Sequence, residues 1–186
     1  MNDVAETKTV AVVDADPAGA GAWDRTLAFL VLRAWLGMRA MLTGIEKFAG
    51  YNTVQKPFID PTTHLEDPSG AMIEVKEKFY ALTNYSAVPQ PLKDRFATEP
   101  LLPGFATSAF YGTLGWALIA LGFMLLIGLG TRLSLCLQGV IYIALTAGLI
   151  LIKQDDGVAW LGIHIALIAL ALSLARFNRF QVLKKW

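Results

Sequence analysis

One cysteine, Cys136, among 186 residues excludes an internal disulfide and a CxxC redox pair. Two histidines, His64 and His164, are too few for a multi-haem or histidine-rich metal site, and no metal is expected. Charge is sparse, at 17% of residues against about 25% in soluble domains. A net charge of +1 supplies no basic face for nucleic acid. The first 22 residues have no cationic start and so do not read as a secretory signal. With Asp3, Glu6, Asp14 and Asp16 they read as a retained acidic tail, too polar to order alone. Proline is missing from four long apolar runs; Pro57, Pro61, Pro68, Pro89, Pro91, Pro100 and Pro103 all fall between the first run and the second.

What is present is apolar: 55% of residues, with a mean hydropathy of +0.49. The runs cover about 26–48, 105–129, 133–152 and 158–177. About 20 residues of helix cross a hydrocarbon layer of about 30 Å. The sequence therefore predicts an all-α integral membrane four-helix bundle, with the lipid bilayer as its first partner. The short turns at 128–132 and 153–157 make the last three helices antiparallel neighbours. Residues 1–22 form the tail and 23–186 the membrane domain, with a long loop at 50–104. Arg25, Arg132, Arg176, Arg179, Lys184 and Lys185 cluster on the side of the termini, whereas Lys153 is offset by Asp155 and Asp156. Positive-inside counting puts both termini in the cytoplasm of a bacterial-type inner (plasma) membrane and the loop outside. Tyr51, Tyr111 and Trp160 fit an outer aromatic belt, and Trp23 an inner one.

That loop is too long to be only a connection. Met72, Val75, Phe79 and Leu82 recur at helical spacing, with Glu74 and Lys78 as an i,i+4 pair on the other face. They predict an amphipathic helix on the outer surface, with a second near 91–97. Such a loop is either a lid over helix ends or a docking surface for an extracytoplasmic partner.

The first run carries charge where charge is costly. An arginine near mid-bilayer costs about 2.5–3.5 kcal/mol on insertion scales. Arg33, Gly37, Ala40, Gly44 and Lys47 share one helical face whose small residues admit a neighbouring helix. Arg39 and Glu46, seven apart, share another face as a candidate ion pair. At helical rise Arg39 lies about 13 Å, and His164 about 9 Å, below the outer ends of their helices. Arg39, Glu46, Lys47 and His164 are thus candidates to line one outward-facing cavity. Arg33 lies deeper, level with Gln138. Each has a plainer reading: Glu46 and Lys47 snorkel, Arg33 and Arg39 tie helices, His164 makes an interhelical hydrogen bond, and Cys136 packs in the core. A functional His164 would exchange protons or bond a quinone oxygen.

Leu32, Arg33 and Gly37, then Gly44 and Lys47, resemble the opening helix of the DoxX/DoxD superfamily. The string GLGTR, Gly128 to Arg132, is similar to that family's turn between its second and third helices, and the fourth run is a looser likeness. The resemblance covers about 27–177, and the long loop fits the DoxD branch. It implies a four-helix membrane subunit of a thiosulfate:quinone oxidoreductase, with a membrane quinone as cofactor and other subunits as partners. It further implies that Arg39, Lys47 and Arg33 hold the anion or quinone oxygens while Glu46 or His164 passes protons. The chain itself has no cysteine pair, haem ligand set or flavin motif, and the sequence identifies no catalytic residue. The competing expectation is a non-catalytic accessory subunit of a larger respiratory or photosynthetic membrane complex.

Overall fold

A computed structural model describes residues 20–59, 62–65 and 69–182. Most of the acidic tail, and Lys184 and Lys185, lie outside them. Five helices and one hairpin follow in order: α1 (Ala20–Glu46), β1 (Ala49–Pro57), β2 (Met72–Tyr80), α2 (Gln90–Ala97), α3 (Gly104–Ile127), α4 (Thr131–Leu151) and α5 (Asp155–Leu174). Within α1, α3, α4 and α5 lie four segments long and apolar enough to cross a membrane. At most a third of any of their most apolar windows is buried, so most of their side chains face outward. A soluble chain would not leave so much apolar surface in water; this is a multi-pass membrane protein.

The ends of these helices follow local rules. Pro103 precedes the first turn of α3, where a missing N–H costs nothing. Gly128 closes α3 in the left-handed region at φ 79, with Leu129 N–H bonded to the Met124 carbonyl and Gly128 N–H to Leu125. Lys153 makes the same turn after α4, but as a non-glycine at φ 55. Asp155 and Asp156 sit in the first turn of α5, where the helix dipole favours negative charge.

An all-α fold and a helix at 72–82 were expected, and both are corrected here. Met72, Val75 and Phe79 lie on a strand, β2, which pairs antiparallel with β1 and sets Val54 opposite Val75. Ile73, Val75, Phe79 and Tyr80 are β-branched or aromatic and suit a pleated surface. Over so few residues helical spacing and alternation overlap, and β1 supplies the partner. The expected Glu74–Lys78 pair is replaced: Lys78 bonds Glu46 at 2.6 and 2.7 Å. The second predicted loop helix is α2, whose Phe96 is buried near Tyr111 of α3 and Gly148 of α4.

α1 packs most extensively on α3, and α4 on α5; α1–α5 and α3–α4 contacts complete the circuit. The α1–α3 seam is built on glycine. A Cβ on Gly122 would lie 2.5 Å from Met41 N, and one on Gly44 2.8 Å from the Gly115 carbonyl. Gly37 and Gly44, and opposite them Gly115 and Gly122, recur every seven residues, so two backbones meet over two turns. The small-residue face expected on the first run is therefore the face that α3 occupies. Cys136, expected in the core, is exposed on α4 toward the lipid side.

Where α1 begins and α5 ends, Arg25 and Arg176 stack on Phe177 and Arg179 on Trp23. Near the hairpin, Tyr85 fastens the loop to α3. Its hydroxyl donates to the Tyr111 carbonyl and accepts the Gly115 N–H at 3.1 Å, two groups one helical turn apart. Phe48 packs on Tyr85 and edge-on to Trp116 beside it.

Candidate functional site

Arg33 lies where α1, α3 and the C-terminal segment meet. It is 9% exposed and donates to Asn178 Oδ1 at 3.0 Å, the Phe180 carbonyl at 2.6 Å and the Leu126 carbonyl at 3.3 Å. Asn178 in turn donates to Thr131 Oγ1 at 3.0 Å, and Val182 N–H bonds the Gly128 carbonyl. Leu126 is in the last turn of α3, whose carbonyls have no partner within the helix. A guanidinium offers five donors in a fixed fork and suits several such acceptors at once. Arg33 in this structure is a tie between segments.

Glu46 and Lys47 are not brought together with the deeper groups. Glu46 is exposed and faces the hairpin, bonded to Lys78 and, at 2.9 Å, to the Tyr80 hydroxyl. The expected Arg39–Glu46 pair is absent among the described residues. The Glu46 carboxylate and then Tyr80 hold the Lys78 ammonium well above its ordinary pKa. Lys47, just past the end of α1, is partly buried beside Gly115, and desolvation pushes its pKa down. Its backbone carbonyl accepts the Ser86 N–H at 2.7 Å.

His164 meets a residue that the sequence reading passed over, Tyr142. On α4, Ser134, Gln138 and Tyr142 follow one another at i,i+4 on the buried face. Ser134 donates to the Leu121 carbonyl at 2.8 Å, fixing α4 against α3. Tyr142, 5% exposed, stands edge-on to the His164 ring with centroids 5.8 Å apart. Arg39 is exposed on the flank of α1 and makes no hydrogen bond or ion pair with a described residue.

Two members of this cluster have unused hydrogen-bonding groups. His164 is 7% exposed; its Nδ1 lies 2.8 Å from the Trp160 carbonyl one turn earlier, and its Nε2 is buried without a partner among the described residues. Gln138 is 0% exposed, and neither its amide oxygen nor its nitrogen meets a partner among the described residues. A buried polar atom left unsatisfied costs about 1–3 kcal/mol. Three such atoms, on Gln138 and His164 to either side of Tyr142, mark this as the candidate site. The signal available in the sequence was Gln138 itself, an amide in an apolar helix, with Tyr142 one turn on. An open depression of about 370 Å³ lined by Tyr51, Thr53 and Lys76 lies on the hairpin, apart from the cluster.

Set against protein-family models, curated proteins and solved structures, the chain matches none.

Proposed function

We propose that this chain is a DoxX/DoxD-like membrane subunit of a quinone-linked redox complex, of the thiosulfate:quinone oxidoreductase kind, built as a four-helix bundle. The observation that carries the reading is the set of unpartnered groups on Gln138 and His164, next to Tyr142, inside helices long and apolar enough to cross a membrane. Polar groups at such depth are costly and belong to functional sites by default. A quinone headgroup is flat, apolar in its ring and polar only at its oxygens. The Gln138 amide N–H and the Arg39 guanidinium are the groups that would hold those oxygens, and His164 Nε2 would accept the hydrogen of the reduced, hydroxyl form. Bound there, a quinone supplies a two-electron, two-proton carrier soluble in the bilayer. His164 is the residue suited to hold a proton beside it. Lys47 and Arg39 are the cations available to an anionic substrate approaching from the hairpin side. The basic residues Arg25, Arg132, Arg176 and Arg179 favour cytoplasmic termini and an extracytoplasmic hairpin in a bacterial-type inner membrane.

The test is thiosulfate-dependent quinone reduction by the chain reconstituted in vesicles, alone and with whatever copurifies from its native membrane. Reduction is expected with the copurified partner, and Arg39→Gln or His164→Phe should lower it at least about tenfold, the effect of losing one charge-assisted hydrogen bond. Absence of reduction in both preparations overturns the reading.

One observation favours a second reading, an accessory subunit of a larger respiratory or photosynthetic assembly. Among the described residues the hairpin is a two-stranded sheet with no third strand on either edge, and such ribbons are marginal alone in water. An extracytoplasmic partner resting on it would supply the missing contacts. Protein that runs as a free monomer from native membranes in mild detergent counts against this.

A further inference from the structure

The end of the molecule where α1 begins and α5 finishes carries arginines that no described residue neutralises. We propose that this end is a binding surface for anionic phospholipid, with the phosphates on the arginines and the acyl chains along α1. The inference is independent of the quinone reading and needs only the membrane.

Arg25 lies in the second turn of α1, Arg132 is the second residue of α4, and Arg176 and Arg179 follow α5. The turn Ala175–Phe177 packs on α1, Asn178 bonds Thr131 and Val182 bonds Gly128, so these ends form one surface. All four arginines are exposed. Among the described residues Asp24 is the one carboxylate at this end, and none of the four makes an ion pair with it. The hairpin end differs, since Lys56 pairs there with Glu77 and Lys78 with Glu46.

The arginines are held in place without being discharged. Arg25 and Arg176 lie over the Phe177 ring, 5.4 and 4.8 Å from its centre, and Arg179 lies 4.8 Å from the centre of the Trp23 ring. An aromatic ring attracts a cation but brings no negative charge of its own. The N–H donors of these guanidinium groups, whose fork matches phosphate oxygens, meet no acceptor among the described residues. The floor beneath them is pinned as well, because Arg33 ties Asn178 and Phe180 to α1 and α3.

Height and shape favour a lipid over other anions. Arg25, Arg132 and Arg176 fall within four residues of an end of their apolar spans, and Arg179 just past the last of them. That is the level of the headgroups, where anionic lipid draws basic side chains. From Trp23 inward, Leu27 and Val31 follow at i,i+4 and all three are exposed, so one face of α1 stands open to acyl chains. A phospholipid supplies both the phosphate and the chains. Free phosphate, or a carboxylate of Asp14 or Asp16, would match the charge alone.

The test reconstitutes the full chain in nanodiscs of equal parts phosphatidylglycerol and phosphatidylcholine. The protein is then released into mild detergent, and the lipids it retains are counted by native mass spectrometry. Phosphatidylglycerol is expected in at least about tenfold excess, since each basic residue beside anionic headgroups is worth about fivefold. Arg25→Gln with Arg176→Gln should remove most of that excess. Lys56→Gln with Lys78→Gln, which deletes as much charge at the hairpin, should leave it. Inorganic phosphate in large excess should not displace the lipid. Equal retention of the two lipids by the unaltered chain overturns the proposal, whether the acidic residues of the tail or nothing at all occupies the arginines. So does an excess that survives the arginine variant, that falls equally in the lysine variant, or that inorganic phosphate abolishes. The lipid comparison and the phosphate competition use the unaltered chain, so they stand even where a variant fails to fold.

Discussion

Arg33 is held inside the protein by carbonyls and an amide rather than by a carboxylate. Three acceptors from two separate segments share it, so its loss leaves several of them without a donor at once. Arg33→Met is expected to destabilise the chain by about 3 kcal/mol, in line with hydrogen bonds to a charged group, as read by thermal unfolding in detergent. Arg33→Lys should recover only part of this, because an ammonium lacks the planar fork. Lys47 presents the opposite case, a cation whose burial is uncompensated among the described residues. Its pKa is lowered on folding, so the folded chain holds fewer protons than the unfolded one between the lowered value and the ordinary lysine value. Stability therefore rises with pH through that window, and below it the full cost of burial is present. Lys47→Met is expected to stabilise the protein at neutral pH by up to about 1 kcal/mol, since the side chain is only partly buried. The gain should shrink as the melting experiment is repeated toward pH 10. The sequence located both cations, because charge in an apolar run is conspicuous. It left their roles open, because the partners of Arg33 lie about 93 to 147 positions away.

The helices were legible as elements and the hairpin was not. Four apolar runs free of proline admit one reading, and the element bounds differ from it by a few residues, more at the start of α1. The Gly37–Gly44 spacing likewise pointed to a close helix contact, though not to which helix would supply Gly115 and Gly122. In contrast, β2 depends on a strand some twenty residues upstream, and pairing at that range leaves no local periodic mark. The seam makes a sharp prediction. Gly122→Ala places a methyl 2.5 Å from a backbone nitrogen that cannot rotate away, so a loss of about 1–3 kcal/mol is expected. Gly162→Ala, with nothing within 4 Å, should be neutral or slightly stabilising in the same unfolding assay. Lys153 offers the reverse test. It occupies the left-handed region at φ 55, so Lys153→Gly should stabilise the α4–α5 turn by about 1 kcal/mol.

At the scale of the molecule, the sidedness proposed from basic residues can be checked with the chain's own thiol chemistry. Cys136 faces lipid and should resist a charged, membrane-impermeant maleimide in both right-side-out and inverted vesicles. With Cys136→Ser as background, Thr53→Cys on the hairpin should label only from outside, and Gln181→Cys only from inside. Labelling of both from one side would place the hairpin with the termini and overturn the topology. The site was less legible than the topology for a reason of the same scale. His164 and Tyr142 come from different helices, and only the way those helices pack makes them neighbours.

The glycine seam and the Tyr85 bridge join α1, α3 and the loop into one plank, while α4 and α5 form another. Arg39 rides on the first plank; Tyr142 and His164 ride on the second. Ser134 on the Leu121 carbonyl and Arg33 on Asn178 bolt the planks together toward the termini, so any flexing between them is expected to open away from that end.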